Sequence, residues 1–138
     1  MEILRLEGTE KKLYEWVAPL VMNPAILRQN NGYPFKTSLR HTWYVALNNE
    51  AVAGFMPVKR TGENYNIDNY YVKGDDAATM GDLLDRIVEE VETSFSLTAL
   101  VHKRHVECFR QHGFSTIKDW KNYEKMEYNL PDNNDTAT

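Results

Sequence analysis

Cysteine is nearly absent from this sequence. Cys108 stands alone among 138 residues, which excludes an internal disulfide and fits a reducing compartment. No apolar run approaches the ~20 residues that a membrane-spanning helix needs. The opening Met1-Glu2-Ile3-Leu4-Arg5 lacks the apolar stretch of a signal peptide, so a cytoplasmic chain is expected. Basic blocks are missing too, and with a formal net charge of −4 a nucleic-acid partner is disfavoured. There is no internal repeat, low-complexity tract or second domain. What remains is a globular composition, 42% hydrophobic, sufficient for one core. The pattern predicts a single domain over residues 1–130 and a disordered polar tail over 131–138.

Thr9 reads as the N-cap of a first helix, with Leu13, Trp16, Val17, Leu20 and Val21 at helical spacing. Pro19 lies inside that pattern and is expected to kink the helix or end it early. Asn23-Pro24 reads as N-cap and first position of a second short helix that stops near Gly32. An irregular loop follows over residues 33–39. Residues 43–47 and 51–58 flank Asn48-Asn49-Glu50, a hairpin signal. Pro57 points to a bulge or an edge at the end of the second arm. After the turn at Thr61-Gly62-Glu63-Asn64, residues 65–72 read as a third antiparallel strand.

The period then changes. Met80, Leu83, Leu84, Ile87, Val88 and Val91 form an amphipathic helical stripe, and Thr79 with Asp82 resembles a capping box. A loop that enters a helix N-terminus exposes unpaired backbone N–H groups, a ready site for an anion. Residues 97–101 read as a buried central strand. A fourth helix should end at Gly113 as C′, with Phe109 and Phe114 in contact. Residues 114–120 and 123–130 then form a hairpin around Lys121-Asn122.

Two stretches carry a family resemblance. One runs from Val101 through Phe109-Arg110-Gln111-His112-Gly113-Phe114, a strand followed by a helix that closes on an aromatic, three variable residues and Gly-Phe. The other is Tyr70-Tyr71-Val72, a polar loop and Gly81-Asp82-Leu83-Leu84. Together with the element order, they resemble the GNAT-type N-acetyltransferases over residues 1–130. The resemblance implies an α/β (mixed α+β) single domain. Its central sheet would be mostly antiparallel, with six or seven strands, and about four helices would cover both faces. It further implies acyl transfer from acetyl-CoA as co-substrate to a small-molecule or protein amine, in a monomer or homodimer. On this resemblance, Tyr71 and Val72 offer strand backbone to the pantetheine arm, and the Tyr71 amide meets the acyl carbonyl. Thr79, Met80 and Gly81 supply amides to the diphosphate. His102 and Phe109 fall at the family's asparagine and tyrosine positions beside the cofactor.

Asp68 is the preferred general base, because the resemblance puts an acceptor-side carboxylate on this strand; the alternative is a polar residue on the solvent face of an alternating strand. Glu63 is a weaker alternative, and Asn66 could orient substrate but cannot act as a base. Tyr65 and Tyr70 are candidates to line the acceptor pocket. Lys103 and Arg104 precede the fourth helix within reach of a phosphate, or form an ordinary solvated pair. His105, Cys108 and His112 share a helix face, but no ligand-spacing motif supports a metal there, and none is expected. The departures from the family favour an alternative, a catalytically inactive module on the same fold. They are Asp75 and Asp76 beside the diphosphate position, the missing basic residue and glycines, and Phe109 in place of an acid.

Overall fold

The computed structural model describes residues 1–91 and 94–129; the tail expected to be disordered lies outside them. The elements run β1 (Glu2–Glu7), α1 (Lys11–Val21), α2 (Pro24–Gln29), β2 (His41–Asn48), β3 (Ala51–Thr61), β4 (Asn64–Ile67), β5 (Tyr71–Val72), α3 (Ala77–Glu90), β6 (Ser96–His102), α4 (Val106–Gln111), β7 (Phe114–Asp119) and β8 (Tyr123–Tyr128). The sheet order is β1-β2-β3-β4-β6-β8-β7, with β5 pairing on β3. All pairings are antiparallel except β4 with β6. This is the mixed α+β architecture expected, with β1 added to the anticipated strands. Its short alternation, Leu4-Arg5-Leu6-Glu7, is the signal that would have found it.

Strand alternation separates two cores. Trp43, Val45 and Leu47 of β2 point to the face covered by Leu13 and Val17 of α1. Tyr44 and Ala46 point to the opposite face, where α3 lays down Met80, Leu83, Leu84 and Ile87. Each of these large side chains contributes about 1.5–3 kcal/mol on burial. The β2–β3 turn is Asn49-Glu50, both at positive φ (51° and 66°), the backbone of a two-residue primed turn.

Several boundaries differ from expectation. Helix α1 is capped at Glu10 rather than Thr9 and runs two residues past Pro19. Asn23 caps α2 as expected, its Oδ1 accepting the Ala25 N–H at 2.8 Å. The bulge between β2 and β3 falls at Ala46/Leu47. Pro57 instead marks where β3 changes partner, between β5 (at Gly54 and Phe55) and β4 (from Val58). Gly54 permits that approach, because a Cβ there would lie 2.8 Å from the Tyr71 carbonyl oxygen. The strand read over 65–72 is broken at Asp68-Asn69-Tyr70, where Asn69 takes φ 52°. Helix α4 ends as anticipated: Gly113 has φ 98°, its N–H donates to Arg110 O at 3.1 Å, and Phe109 and Phe114 meet edge to face at 5.3 Å.

Candidate functional site

The break at Asn69 builds the site. β4 pairs with β6 only over Asn64–Ile67; beyond it β5 turns to β3 while β6 turns to β8. The strands therefore part at residues 68–72 on one side and 100–102 on the other. Asn69 tolerates its left-handed backbone because Asn is suited to it, and its Oδ1 accepts from Asn30 Nδ2 at 3.0 Å.

On one side of the parting lies a cavity of about 470 Å³, within the range of small-molecule sites. Asp68, Asn69, Asn30, Leu100 and His102 form its floor. Tyr33, Trp120 and Tyr123 form its aromatic wall, with Tyr33 and Trp120 exposed at 58% and 45%. Asn31 Nδ2 fixes Tyr123 by donating to its hydroxyl at 2.6 Å, and His102 packs on the Tyr123 ring at 4.9 Å. Burial pushes the Asp68 carboxyl above its ordinary value, against a hydrogen bond from the Asn69 backbone. Burial lowers His102 to about 4, so its imidazole is neutral at pH 7.

The other side is filled by the protein itself. Tyr70 is 3% exposed, and its ring packs against Phe109, His102 and His105. Its hydroxyl lies 2.7 Å from His105 Nδ1, and His105 Nε2 lies 2.7 Å from Asp75 Oδ1. Since the carboxylate can only accept, Nε2 carries the proton and Nδ1 accepts from Tyr70. The Tyr70 oxygen accepts the His102 N–H at 3.2 Å, so every buried polar atom in this chain of contacts is partnered. Burial lowers the pKa of His105, keeping it in the neutral form this arrangement needs. The space left between α2, β5 and this network is about 10 Å³.

The α3 N-terminus corrects a further expectation. Asp76, not Thr79, is the N-cap; its Oδ2 accepts the Thr79 N–H at 3.0 Å and the Thr79 hydroxyl at 2.6 Å. Met80 N–H donates to Asp76 O at 3.0 Å, and Gly81 lies inside the helix against the His112 ring. The expected donors Thr79, Met80 and Gly81 are thus third, fourth and fifth in the helix, where they are already engaged or internal. The amides left in the first turn are those of Ala77 and Ala78. The Thr79 hydroxyl and amide hold the Asp76 carboxyl below its ordinary value. At Asp75 burial acts to raise the carboxyl, but His105 and Arg104 outweigh it and the net shift is downward.

The remaining sequence candidates sort plainly. Tyr71 and Val72 form β5, which pairs on one edge only among the described residues, so an unpaired edge faces the parting. Phe109 is wholly buried and offers no surface to a ligand. Tyr65 stacks on Phe95 at 5.1 Å, away from the aromatic cavity. Asn66 accepts from the Thr98 hydroxyl, and Glu63 is exposed on its turn. Lys103 pairs with Asp119 and Glu124, and Arg104 with Asp75, so neither is held for a phosphate. His105, Cys108 and His112 go to different partners: Tyr70 with Asp75, the Ala77 carbonyl and Asp85. A larger cavity, about 590 Å³, lies elsewhere along the sheet, and its Arg5 and Glu90 satisfy one another at 3.4 Å.

Residue-level reasoning missed Tyr33, Trp120 and Tyr123. The signal was present in the hairpin, where two aromatics flank a two-residue turn, but nothing local tied it to residue 68.

No protein-family model and no curated protein sequence matches the chain. Solved structures do. An acyl-CoA N-acyltransferase from Pseudomonas aeruginosa superposes with a TM-score of 0.70 at 9% identity, covering 94% of this chain and 100% of that one. The aminoglycoside 6'-N-acetyltransferase from Enterococcus faecium gives 0.68 at 11%, covering 96% and 100%. Campylobacter jejuni N-acetyltransferase PseH, solved with acetyl coenzyme A, gives 0.62 at 14%, covering 94% and 100%. Identities this low speak for architecture alone, and over nearly its whole length the chain has the fold of the GNAT-type N-acetyltransferases.

Proposed function

We propose that the chain is an acyl-CoA-dependent N-acyltransferase that moves an acetyl group from acetyl-CoA to an amine by direct attack. The observation that carries this reading is Asp68, a carboxylate of raised proton affinity in a cavity that opens where β5 and β6 part. The pantetheine arm runs along the free edge of Tyr71 and Val72, with the thioester carbonyl toward the Tyr71 amide. The amine enters from the aromatic cavity and gives its proton to Asp68. Its nitrogen forms a bond to the carbonyl carbon and releases its remaining surplus proton to solvent, the carbon–sulfur bond breaks, and the thiolate takes a proton from solvent because Phe109 has none to give. The donor side fits least well: about 10 Å³ is open beside Tyr71 and Val72, so the arm must displace contacts of Tyr70, His105 and Asp75, and at the α3 N-terminus, capped by Asp76, only Ala77 and Ala78 keep open amides.

That same cap favours a second reading, a non-catalytic small-molecule-binding module on this fold. One experiment separates the two. Acetyl-CoA at about 100 times its Kd stabilises a binding protein by about 2.7 kcal/mol, read as a rise in melting temperature. A rise together with amine-dependent release of free thiol supports the transferase. No rise at millimolar acetyl-CoA leaves the module.

A further inference from the structure

The acceptor cavity has a chemical signature of its own. It holds one carboxylate, Asp68, three aromatic rings and the neutral imidazole of His102, and neither lysine nor arginine among its lining residues. Lys36 and Lys59 line a separate cavity of about 140 Å³ that shares only Asp68 and Asn69 with this one. A cation is thus matched at one point, and aromatic faces attract both a cation and a second ring. Lys118 already lies over the Trp120 ring at 5.4 Å. A polycation would find only one countercharge, and a carboxylate would find none.

We propose that this cavity binds a primary amine that carries an aromatic ring and no acidic group, the ammonium on Asp68 and the ring among Tyr33, Trp120 and Tyr123. The identification of the bound amine as an acyl acceptor rests on the function proposed above; the binding itself does not.

The test measures amine binding to the full chain by titration calorimetry with no acyl donor present. Phenethylamine is the probe, with butylamine lacking the ring and phenylalanine adding a carboxylate. Both comparison compounds should bind at least about tenfold more weakly. Asp68→Asn and Trp120→Ala should each weaken phenethylamine at least about tenfold; Trp120 is exposed, so its variant keeps the fold and a melting curve verifies this. Butylamine or phenylalanine binding as tightly as phenethylamine overturns the inference, as does the absence of any phenethylamine binding. If phenethylamine binds but is not acetylated, the inference stands and the transferase reading falls. Acetylation of aliphatic amines with phenethylamine excluded does the reverse.

Discussion

The two sides of the strand parting are built on opposite terms. On the side proposed for the acceptor, Asp68 is half-buried with only the Asn69 backbone to support its charge, and large aromatic rings stand exposed. On the side proposed for the donor, Tyr70, His105, Asp75 and Arg104 satisfy one another, as do Asp76 and Thr79. An unsatisfied cavity gains by taking a ligand, whereas a satisfied cleft must give up internal bonds to admit one. The difference teaches that, of the two sides, the one proposed for the amine is the more open to a ligand. The side proposed for the donor carries the cost.

The sharpest way to break the comparison is Asp68→Asn. If Asp68 takes the amine proton, turnover with acetyl-CoA falls by about 10²–10⁴-fold while the affinity for CoA is unchanged. Turnover within a few-fold of the parent protein would move the base to solvent and make Asp68 a binding group alone.

Tyr70→Phe probes the donor side next. It strips the His102 N–H of its acceptor and His105 Nδ1 of its donor in a region almost without solvent. Leaving a buried polar group unpaired costs about 1–3 kcal/mol, so the midpoint of urea unfolding should drop with an unchanged slope. An unshifted midpoint would mean that the relay is not what closes this cleft.

How far these two regions were legible in sequence follows from the range of the forces that made them. Helix α3 could be read because its stripe repeats locally, and the α4 ending because Gly113 and Phe114 act within one turn of Phe109. Asp68 was singled out as a carboxylate of the strand read over 65–72, and the structure sets it one residue past β4, in the break. The break at Asn69 was not legible, since residues 65–72 carry a strand-like pattern throughout and only pairing with β3 and β6 decides where it divides. Nor was the cap at Asp76: Thr79 with Asp82 offered an equally good local signal, and the choice went to the residue whose loop, Gly74 and Asp75 both at positive φ, could turn into the helix. The aromatic wall and the Tyr70–His105–Asp75 contacts join residues 30 to 90 positions apart, a distance at which single-sequence patterns carry no information.

A milder change tests whether the capped helix is what limits the donor side. Asp76→Ser keeps a capping oxygen for the Thr79 N–H but removes the negative charge at the α3 N-terminus. Affinity for CoA should rise about three- to tenfold at low ionic strength, and salt should erase most of the gain. An unchanged affinity at low salt would place the obstacle at Tyr70 rather than at the cap.

The smallest effect is also the most direct contrast, because the two aspartates should respond to pH with opposite sign. Thr79 holds the Asp76 carboxyl below the ordinary value of 3.8, so its ionised form stabilises the fold above that pH. That stability is lost as pH falls through the lower folded value. Burial holds Asp68 above 3.8, so its ionised form opposes folding once pH exceeds the raised value, and the opposition vanishes below 3.8. At pH 7, Asp76→Asn should therefore melt slightly below the parent protein and Asp68→Asn slightly above it. Near pH 3 the Asp68 difference should be largely gone, since that pH lies below both its folded and unfolded values, whereas the Asp76 difference should fade only as pH drops through its depressed folded value. Differences of the same sign at pH 7 would mean that the two sides of the parting are not electrostatically opposed, and the contrast between an open cavity and a self-satisfied cleft would lose its physical basis.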